Sequence, residues 1–480
     1  MAKPREICVI QLARFGDLIQ TSPFLQLLRK QEPDARITLV TDSRVAEAGR
    51  LLYGVDAVET IDLAGVVNQL TGNLLTDYGN LRAWSESWRS NRLYDRLILL
   101  NQGVIPEAIS TFFSAKRREG PLRNTTFNRP HKFLQSILSD RWHNPVHLSE
   151  VWAAYARSTF PVPAPRLNSD SFGTSFAFPT VGKTSTSYKN KVFTVNLGAG
   201  AAGRRLTTEN LADLVRYLLK NSDGRVALVG LPEDVEVADL VLQAVPEEQR
   251  NRIIDLAGKT SLKDLAGVLK ASEVLVTTDT GTLQLSSATE TKSVGLFFAG
   301  TNPLETGAYG PEAVAIIRND SPLPGTLPTK YDMILAAQAA LRLMNNESLE
   351  GLGDENDACT VLVARSAPVG VEYRPLRTDG FEPVGKGRRW LPLLRHLLWG
   401  SASDDKIDEE FKADPSVAIG VDDLQRLKTL LEQIMQSRGQ QHASWDEETA
   451  WLAHAIAAFP KETSQWLASR TKNHAGRIYA

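Results

Sequence analysis

Apolar residues gather along the chain into short runs separated by polar stretches of helical spacing. Residues 7–12 "ICVIQL", 36–41 "RITLVT" and 94–101 "YDRLILLN" are rich in Ile, Leu and Val, and helix-like stretches such as "SPFLQLLRKQ" lie between or after them. Runs of this kind predict strands of a parallel sheet with both faces covered, and the alternation predicts βαβ units. A second series follows: "VFTVNL" (192–197), "RVALVG" (225–230), "RIIDLAG" (252–258), "EVLVTTD" (273–279) and "SVGLFF" (293–298). Between its first two runs, Leu211, Leu214, Val215, Leu218 and Leu219 fall at i, i+3, i+4, i+7 and i+8. That stripe predicts a core-facing helix, with Thr207 or Thr208 as its N-cap.

Residues 161–191 hold four prolines and no sustained period, which marks a junction. The expected organisation is an N-terminal lobe over 1–165, a linker over 166–190, a second lobe over 191–348 and a mostly helical extension over 349–480. Within the extension, "DENDACTVLVARSAPVGVEYRP" is strand-like, and Leu427, Leu430, Leu431, Ile434 and Met435 form another helical stripe. Ser444 to Glu447 reads as a capping box. The basic, Trp/Leu-rich "GRRWLPLLRHLLWG", inside 385–400, has two readings: a helix lying on anionic lipid, or a core helix packed on the second lobe.

Composition narrows the class. A chain of 480 residues exceeds one core, and its net charge of −2 argues against a dedicated nucleic-acid binder. No stretch approaches a membrane span, and the start "MAKPREICVIQLARFGD" lacks the features of a signal peptide. Two cysteines, Cys8 and Cys359, make neither a disulfide framework nor a metal site. A cytoplasmic protein is expected.

Candidate chemistry sits at strand ends. Gly198-x-Gly200-x-x-Gly203 has the letters of a dinucleotide fingerprint, but the apolar helical stripe begins only at Leu211 and two arginines, Arg204 and Arg205, intervene. A nicotinamide site, another phosphate site and a flexible connection all remain open. Glu233 and Asp234 follow the next strand, where a carboxylate can accept from ribose hydroxyls or cap a helix. Asp279, Thr280 and Gly281 end another strand before a helix, where amides favour anions. In the first lobe Asp17 follows Gly16. Spacing favours a helix cap completed by Gln20, and the sharper alternative is a general base at the cleft. Lys116, Arg117, Arg118 and Arg123 crowd one stretch, either as a solvated face or as contacts for an anionic acceptor. No HExxH and no Ser-His-Asp arrangement with a nucleophile elbow occurs.

Taken in order, "ICVIQLARFGDLIQTSPFLQLLRKQEPDARITLVT", "YDRLILLNQGVIPEAISTFFSAKRREG", "RIIDLAGKTSLKDLAGVLKASEVLVTTDTGTLQLSSA" and "NPLETGAYGPE" resemble the heptosyltransferases of lipopolysaccharide assembly, glycosyltransferase family 9. The resemblance runs from residue 7 to about 345. It implies an α/β protein of GT-B fold, two Rossmann-like lobes with parallel sheets facing a cleft, here with the helical extension added. It implies inverting, metal-independent sugar transfer with no cofactor, from a nucleotide sugar, usually ADP-heptose, to a saccharide or glycolipid acceptor. The extension lies outside the family pattern, and the lipid reading of 385–400, which would put the protein peripherally at the inner face of the membrane, rests on its own residues. By the same resemblance Asp17 is the base, and Arg204, Arg205, Glu233 or Asp234, Lys259, Thr260, Asp279, Thr280 and Gly281 surround the donor. Gln284 stands where members usually carry His, Arg204 where they commonly carry Lys, and Ala199 and Gly200 where some carry hydroxyl side chains. A non-catalytic scaffold of the same fold and a nicotinamide-dependent oxidoreductase are the alternatives.

Overall fold

The computed structural model describes residues 4–68, 71–73, 76–77, 79–80, 83, 85, 92–122, 129–137, 141, 144–157, 161–168, 176, 178, 191–310, 312–319, 327–353, 358–377, 390–399, 421–436 and 447–468. The first lobe holds β1 (Glu6–Ile10), β2 (Arg36–Asp42), β3 (Ala57–Ile61), β4 (Leu93–Leu99) and β5 (Ser114–Glu119). They form an all-parallel sheet in the order β3-β2-β1-β4-β5. Ile7, Cys8, Val9 and Ile10 are buried on both faces of the central strand, which is why they read as one unbroken apolar run.

The second sheet comprises β6 (Val192–Asn196), β7 (Arg225–Val229), β8 (Ile253–Asp255), β9 (Val274–Thr278), β10 (Lys292–Phe297), β11 (Ala313–Arg318), β12 (Cys359–Ser366) and β13 (Val371–Pro375). Its order is β13-β12-β11-β10-β9-β6-β7-β8. From β8 to β11 this repeats the first lobe's winding, so each sheet reverses direction beside its first strand. The two reversals lie between β1 and β4 and between β6 and β9, where open α/β sheets leave a crevice for ligands. The helix after β6 spans Thr208–Lys220, and its N-cap Thr207 Oγ1 accepts from the Asn210 N–H at 3.1 Å. All five leucines and valines of its stripe are buried.

Past residue 348 the second sheet continues. β12 and β13 join it antiparallel, so the strand-like part of the extension belongs to the second lobe's sheet. Of the remaining helices, Leu391–Trp399, Val421–Gln436, Glu447–Ala458 and 460–468, the first and third pack against the first lobe's Arg129–Ile137 helix, Val421–Gln436 packs on Glu447–Ala458, and Glu462 of the last pairs with Arg129 at 3.6 Å. Trp390, Trp451, Phe459 and Trp466 are buried there. Arg129 caps carbonyls of His396 and Leu397 at 3.3 and 3.2 Å, and Lys132 Nζ lies 4.9 Å over the Phe459 ring. The extension therefore straps the lobes together.

This placement corrects the lipid reading of 385–400. Leu391, Leu393, Leu394, Leu397 and Leu398 are all buried, and Arg395 turns inward to a bidentate pair with Glu150 at 2.8 and 3.0 Å. An interfacial helix needs its apolar face free and its cations outward, and residues 390–399 meet neither condition. The helix is core, as the other reading held, but its partner is the first lobe. Residues 385–389, 400 and Ser444, and the Met435 side chain, lie outside the described residues. Among those described, no helix is long and apolar enough to cross a membrane.

Arg395 and Glu150 are 3% and 1% exposed, and a buried charge left alone is costly. Arg395→Ala is expected to lower stability by about 3–5 kcal/mol, while Glu150→Leu with Arg395→Met restores most of it. Urea denaturation measures both, and a loss below about 1 kcal/mol for the single variant would contradict the pairing.

Candidate active site

The two crevices meet. Phe15 and Gly16 open the Phe15–Gln20 helix after β1, and Gly281 opens the Gly281–Ala288 helix after β9. A Cβ on Gly281 would overlap the Phe15 ring, and one on Gly16 would stand 3.3 Å from the Gly281 Cα and 3.4 Å from Gln284 Cγ. Each helix start thus rests on the other, and the carboxylates beside them come into one electrostatic field. Amide side chains fix both crevices. Asn101 bridges to Gln11, which donates to Thr21 Oγ1 at 2.9 Å. In the second lobe Asn196 donates to the Gly198 carbonyl at 2.7 Å and to Thr277 Oγ1 at 3.1 Å.

Asp17 does not cap its helix. The N-cap is Arg14, which makes no side-chain cap bond, and Asp17 sits at the third helical position with its carboxyl accepting from the Arg14 N–H. Gln20 is buried and completes no box. The spacing was right for a helix start, but the start falls three residues earlier. Burial raises the Asp17 pKa above the ordinary carboxylate value, against the opposing charges of Arg14, Arg141 and Arg204.

Across the cleft, Arg204 Nη1 pairs with Asp279 Oδ2 at 3.1 Å. Burial raises the Asp279 pKa too, opposed by Arg204, by the Thr306 hydroxyl and by Arg141, while Asp17 adds to the rise. Glu305 behaves alike: burial raises it, and Arg141, which it pairs with directly, together with the Asn144 amide at 3.2 Å, opposes that. Burial lowers the Arg141 pKa most, yet Glu305, Asp17 and Asp279 together outweigh it and hold it above its usual value. Three carboxylates and three arginines, Arg14, Arg141 and Arg204, thus share one cleft. Thr280 is the N-cap residue of the Gly281–Ala288 helix, with its hydroxyl 3.0 Å from Thr277 Oγ1. Gln284 is buried and donates to the Thr306 carbonyl.

The remaining candidates divide. Arg205 pairs with Asp234 at 2.9 Å and Glu233 at 3.5 Å. Asp234 is buried, whereas Glu233 is 61% exposed. Gly200 and Gly203 border open space, while Gly198 packs on the Asp234 carboxyl. Lys259 pairs with Asp255, and its loop, with the half-buried Thr260, is tied to the β7 end by the Gly258 N–H to Gly230 carbonyl bond of 3.0 Å. In the first lobe, Lys116 pairs with Asp95 at 2.6 Å and Arg117 with Glu119 at 3.0 Å. Arg118 donates to the carbonyls of Ser110, at 2.7 Å, and Phe113. These partners all lie in the first lobe. Arg123 lies outside the described residues.

Arg14, Arg141, Asn144, Glu305 and Thr306 had no place among the sequence candidates. "NPLETG" carried a signal for Glu305 and Thr306 through the resemblance. Arg141 had none, because a lone cation in a polar stretch has no period or spacing to betray it.

Residues 89–327 match the family model described as glycosyltransferase family 9 (heptosyltransferase). The chain carries a family 9 glycosyltransferase domain. Lipooligosaccharide heptosyltransferase 2 of Haemophilus influenzae is 32% identical over 91 residues, 19% of this chain and 26% of that protein. The matched stretch therefore spans about a quarter of that curated relative's length. The glycosyl transferase family 9 structure from Veillonella parvula superposes at TM-score 0.53 with 18% identity, covering 72% of this chain and 99% of that one. The E. coli heptosyltransferase WaaC with ADP superposes at 0.52 with 16% identity, covering 72% and 100%. These likenesses show the fold, which is GT-B: an α/β architecture of two Rossmann-like lobes.

His147 anchors the segment that carries Arg141 and Asn144, through Nε2 at 2.8 Å from the Gly307 carbonyl and Nδ1 accepting from the Ser149 N–H at 3.1 Å. Burial pushes its pKa down from 6.5 to about 4. The unfolded chain therefore takes up this proton first as pH falls. Stability from neutral His147 is present above pH 6.5 and is lost progressively between pH 6.5 and about 4. The loss reaches on the order of 3 kcal/mol at the acid end. His147→Gln is expected to flatten that slope in pH-dependent thermal melts, and an unchanged slope would count against a buried neutral ring.

Proposed function

We propose that the chain moves a sugar, a heptose by the family's own description, from an ADP-linked donor to a hydroxyl of a saccharide or glycolipid acceptor in cell-envelope lipopolysaccharide synthesis. In this reading transfer inverts the anomeric centre and uses no metal, and the protein works in the cytoplasm at the inner membrane face. The observation that carries the reading is the meeting of Asp17 with the Arg204–Asp279 pair across the cleft, where Phe15 and Gly16 rest against the Gly281 helix start and Arg204 is near enough to oppose the rise in the Asp17 pKa. ADP accompanies the E. coli heptosyltransferase WaaC, which supports adenine as the donor base.

In the step proposed, Asp17 takes the proton of the acceptor hydroxyl as its oxygen bonds to the donor's anomeric carbon. The bond from that carbon to the diphosphate oxygen breaks, and ADP leaves with the electron pair. Arg204 and the amides heading the Gly281–Ala288 helix stabilise the charge that develops on the diphosphate. Glu233, at the edge of the same crevice, is placed to accept from the ribose.

Asp17→Asn is expected to leave the ADP Kd within about twofold while lowering turnover by about a hundredfold or more, read by calorimetry and a transfer assay. Turnover like that of the wild type would remove Asp17 from the role. Because the base must be ionised and burial raises its pKa, kcat should fall on the acid side at a pH above the ordinary carboxylate range. That limb should be absent from the residual activity of Asp17→Asn.

A further inference from the structure

Arg204 and Arg205 are adjacent, but they do different things. Arg205 spends each limb of its guanidinium on the protein: Nε donates to the Ala199 carbonyl at 3.2 Å, Nη1 to Asp234 Oδ1 at 2.9 Å, and Nη2 to Glu233 Oε1 at 3.5 Å. The first of these closes the loop on itself from residue 199 to residue 205. The second fastens the closed loop to the end of β7. Asp234 in turn is locked, because its Oδ2 accepts from the Leu231 N–H at 2.8 Å and its side chain is 1% exposed. It fills the room that side chains at Gly198 and Gly230 would need: a Cβ on Gly198 would overlap its carboxyl, and one on Gly230 would stand 2.8 Å from its Cβ. At Gly200 and Gly203, by contrast, a Cβ would have nothing within 4 Å of it. The loop is therefore pinned at its base and open along its rim, with Arg204 on the open side reaching to Asp279.

We infer that Arg205 and Asp234 are positioning residues, a clasp that presets the 198–205 loop for the donor's diphosphate, while Arg204 is the arginine that meets it. The inference rests on the nucleotide-sugar reading above. A preset loop spares the ligand the cost of ordering it, and a guanidinium fork suits this better than an ammonium because two of its nitrogens engage separate oxygens in fixed geometry. The first glycine of the fingerprint is then required by Asp234 and not by the ligand.

The test is a double-mutant cycle on nucleotide affinity. Calorimetry with ADP, UDP and GDP identifies the nucleoside diphosphate that wild type binds most tightly, and that one is used throughout. Asp234→Asn and Arg205→Lys are each expected to raise its Kd about tenfold, and the double variant also about tenfold, because both remove one clasp. Gly198→Ala, which displaces the Asp234 carboxyl, should give the same loss, and with Arg205→Lys it runs the same cycle if Asp234→Asn does not fold. Multiplying effects, about a hundredfold in the double variant, would overturn the clasp and make Arg205 a direct diphosphate ligand. Unchanged affinity with a lowered melting temperature would overturn it in favour of a purely structural pair. Wild type binding none of the three nucleotides would overturn the nucleotide-sugar reading, and the clasp with it.

Discussion

The close approach of Gly16 and Gly281 is the constraint on which the rest of the site depends. Neither position has room for an ordinary side chain without moving Phe15 or the facing helix start. Because backbone meets backbone there, two crevices that belong to separate sheets become one cleft. The sheets supply the rest: both reverse direction beside their first strand, so the loops that bear Asp17, Arg204 and Asp279 all emerge at strand ends that face the contact. The extension holds this arrangement from outside, with β12 and β13 on one lobe's sheet and the terminal helices on the other lobe.

Bringing these loops together gathers Asp17, Asp279 and Glu305 where burial disfavours their charge. Arg14, Arg141 and Arg204 counter that, and the balance is local. Glu305 is tied to Arg141 and Asn144, Asp279 to Arg204 and Thr306, while Asp17 has the Arg14 N–H and, at 3.8 Å, the exposed Arg14 guanidinium. Of the three, Asp17 is the carboxylate least committed to a protein partner, which is what a proton acceptor for an incoming hydroxyl requires. Arg204 is held by a largely buried acid, 11% exposed, that a donor diphosphate would compete with, so in the proposed reading donor binding and the charge state of the cleft are coupled through one ion pair.

Much of the fold was legible because parallel strands covered on both faces are apolar nearly throughout, as 7–10 and 274–276 are without exception and 192–195 is apart from Thr194. The Thr208–Lys220 helix was legible from its stripe and cap. β12 and β13 were visible as strands but not as members of the second sheet, since pairing partner and direction leave no mark on so short a run. The Leu391–Trp399 helix stayed open between two readings because an apolar stretch with arginines looks alike whether Arg395 faces lipid or a buried Glu150, and nothing in it named the first lobe as its partner. At the site, motif residues beside strand ends were found where the topology puts crevices. What sequence could not supply was partnership: that Arg205 belongs to Asp234, that Arg141 reaches Glu305 from 164 residues away, and that Asp17 lies inside its helix and does not cap it.

A crystal structure of the chain with ADP tests the central claim most directly. The account predicts the diphosphate between the 198–205 loop and the start of the Gly281–Ala288 helix, with Arg204 turned from Asp279 to a phosphate oxygen and Asp17 facing the β-phosphate across the cleft. ADP bound elsewhere, or bound there with Arg204 still on Asp279 and no contact to phosphate, would contradict it.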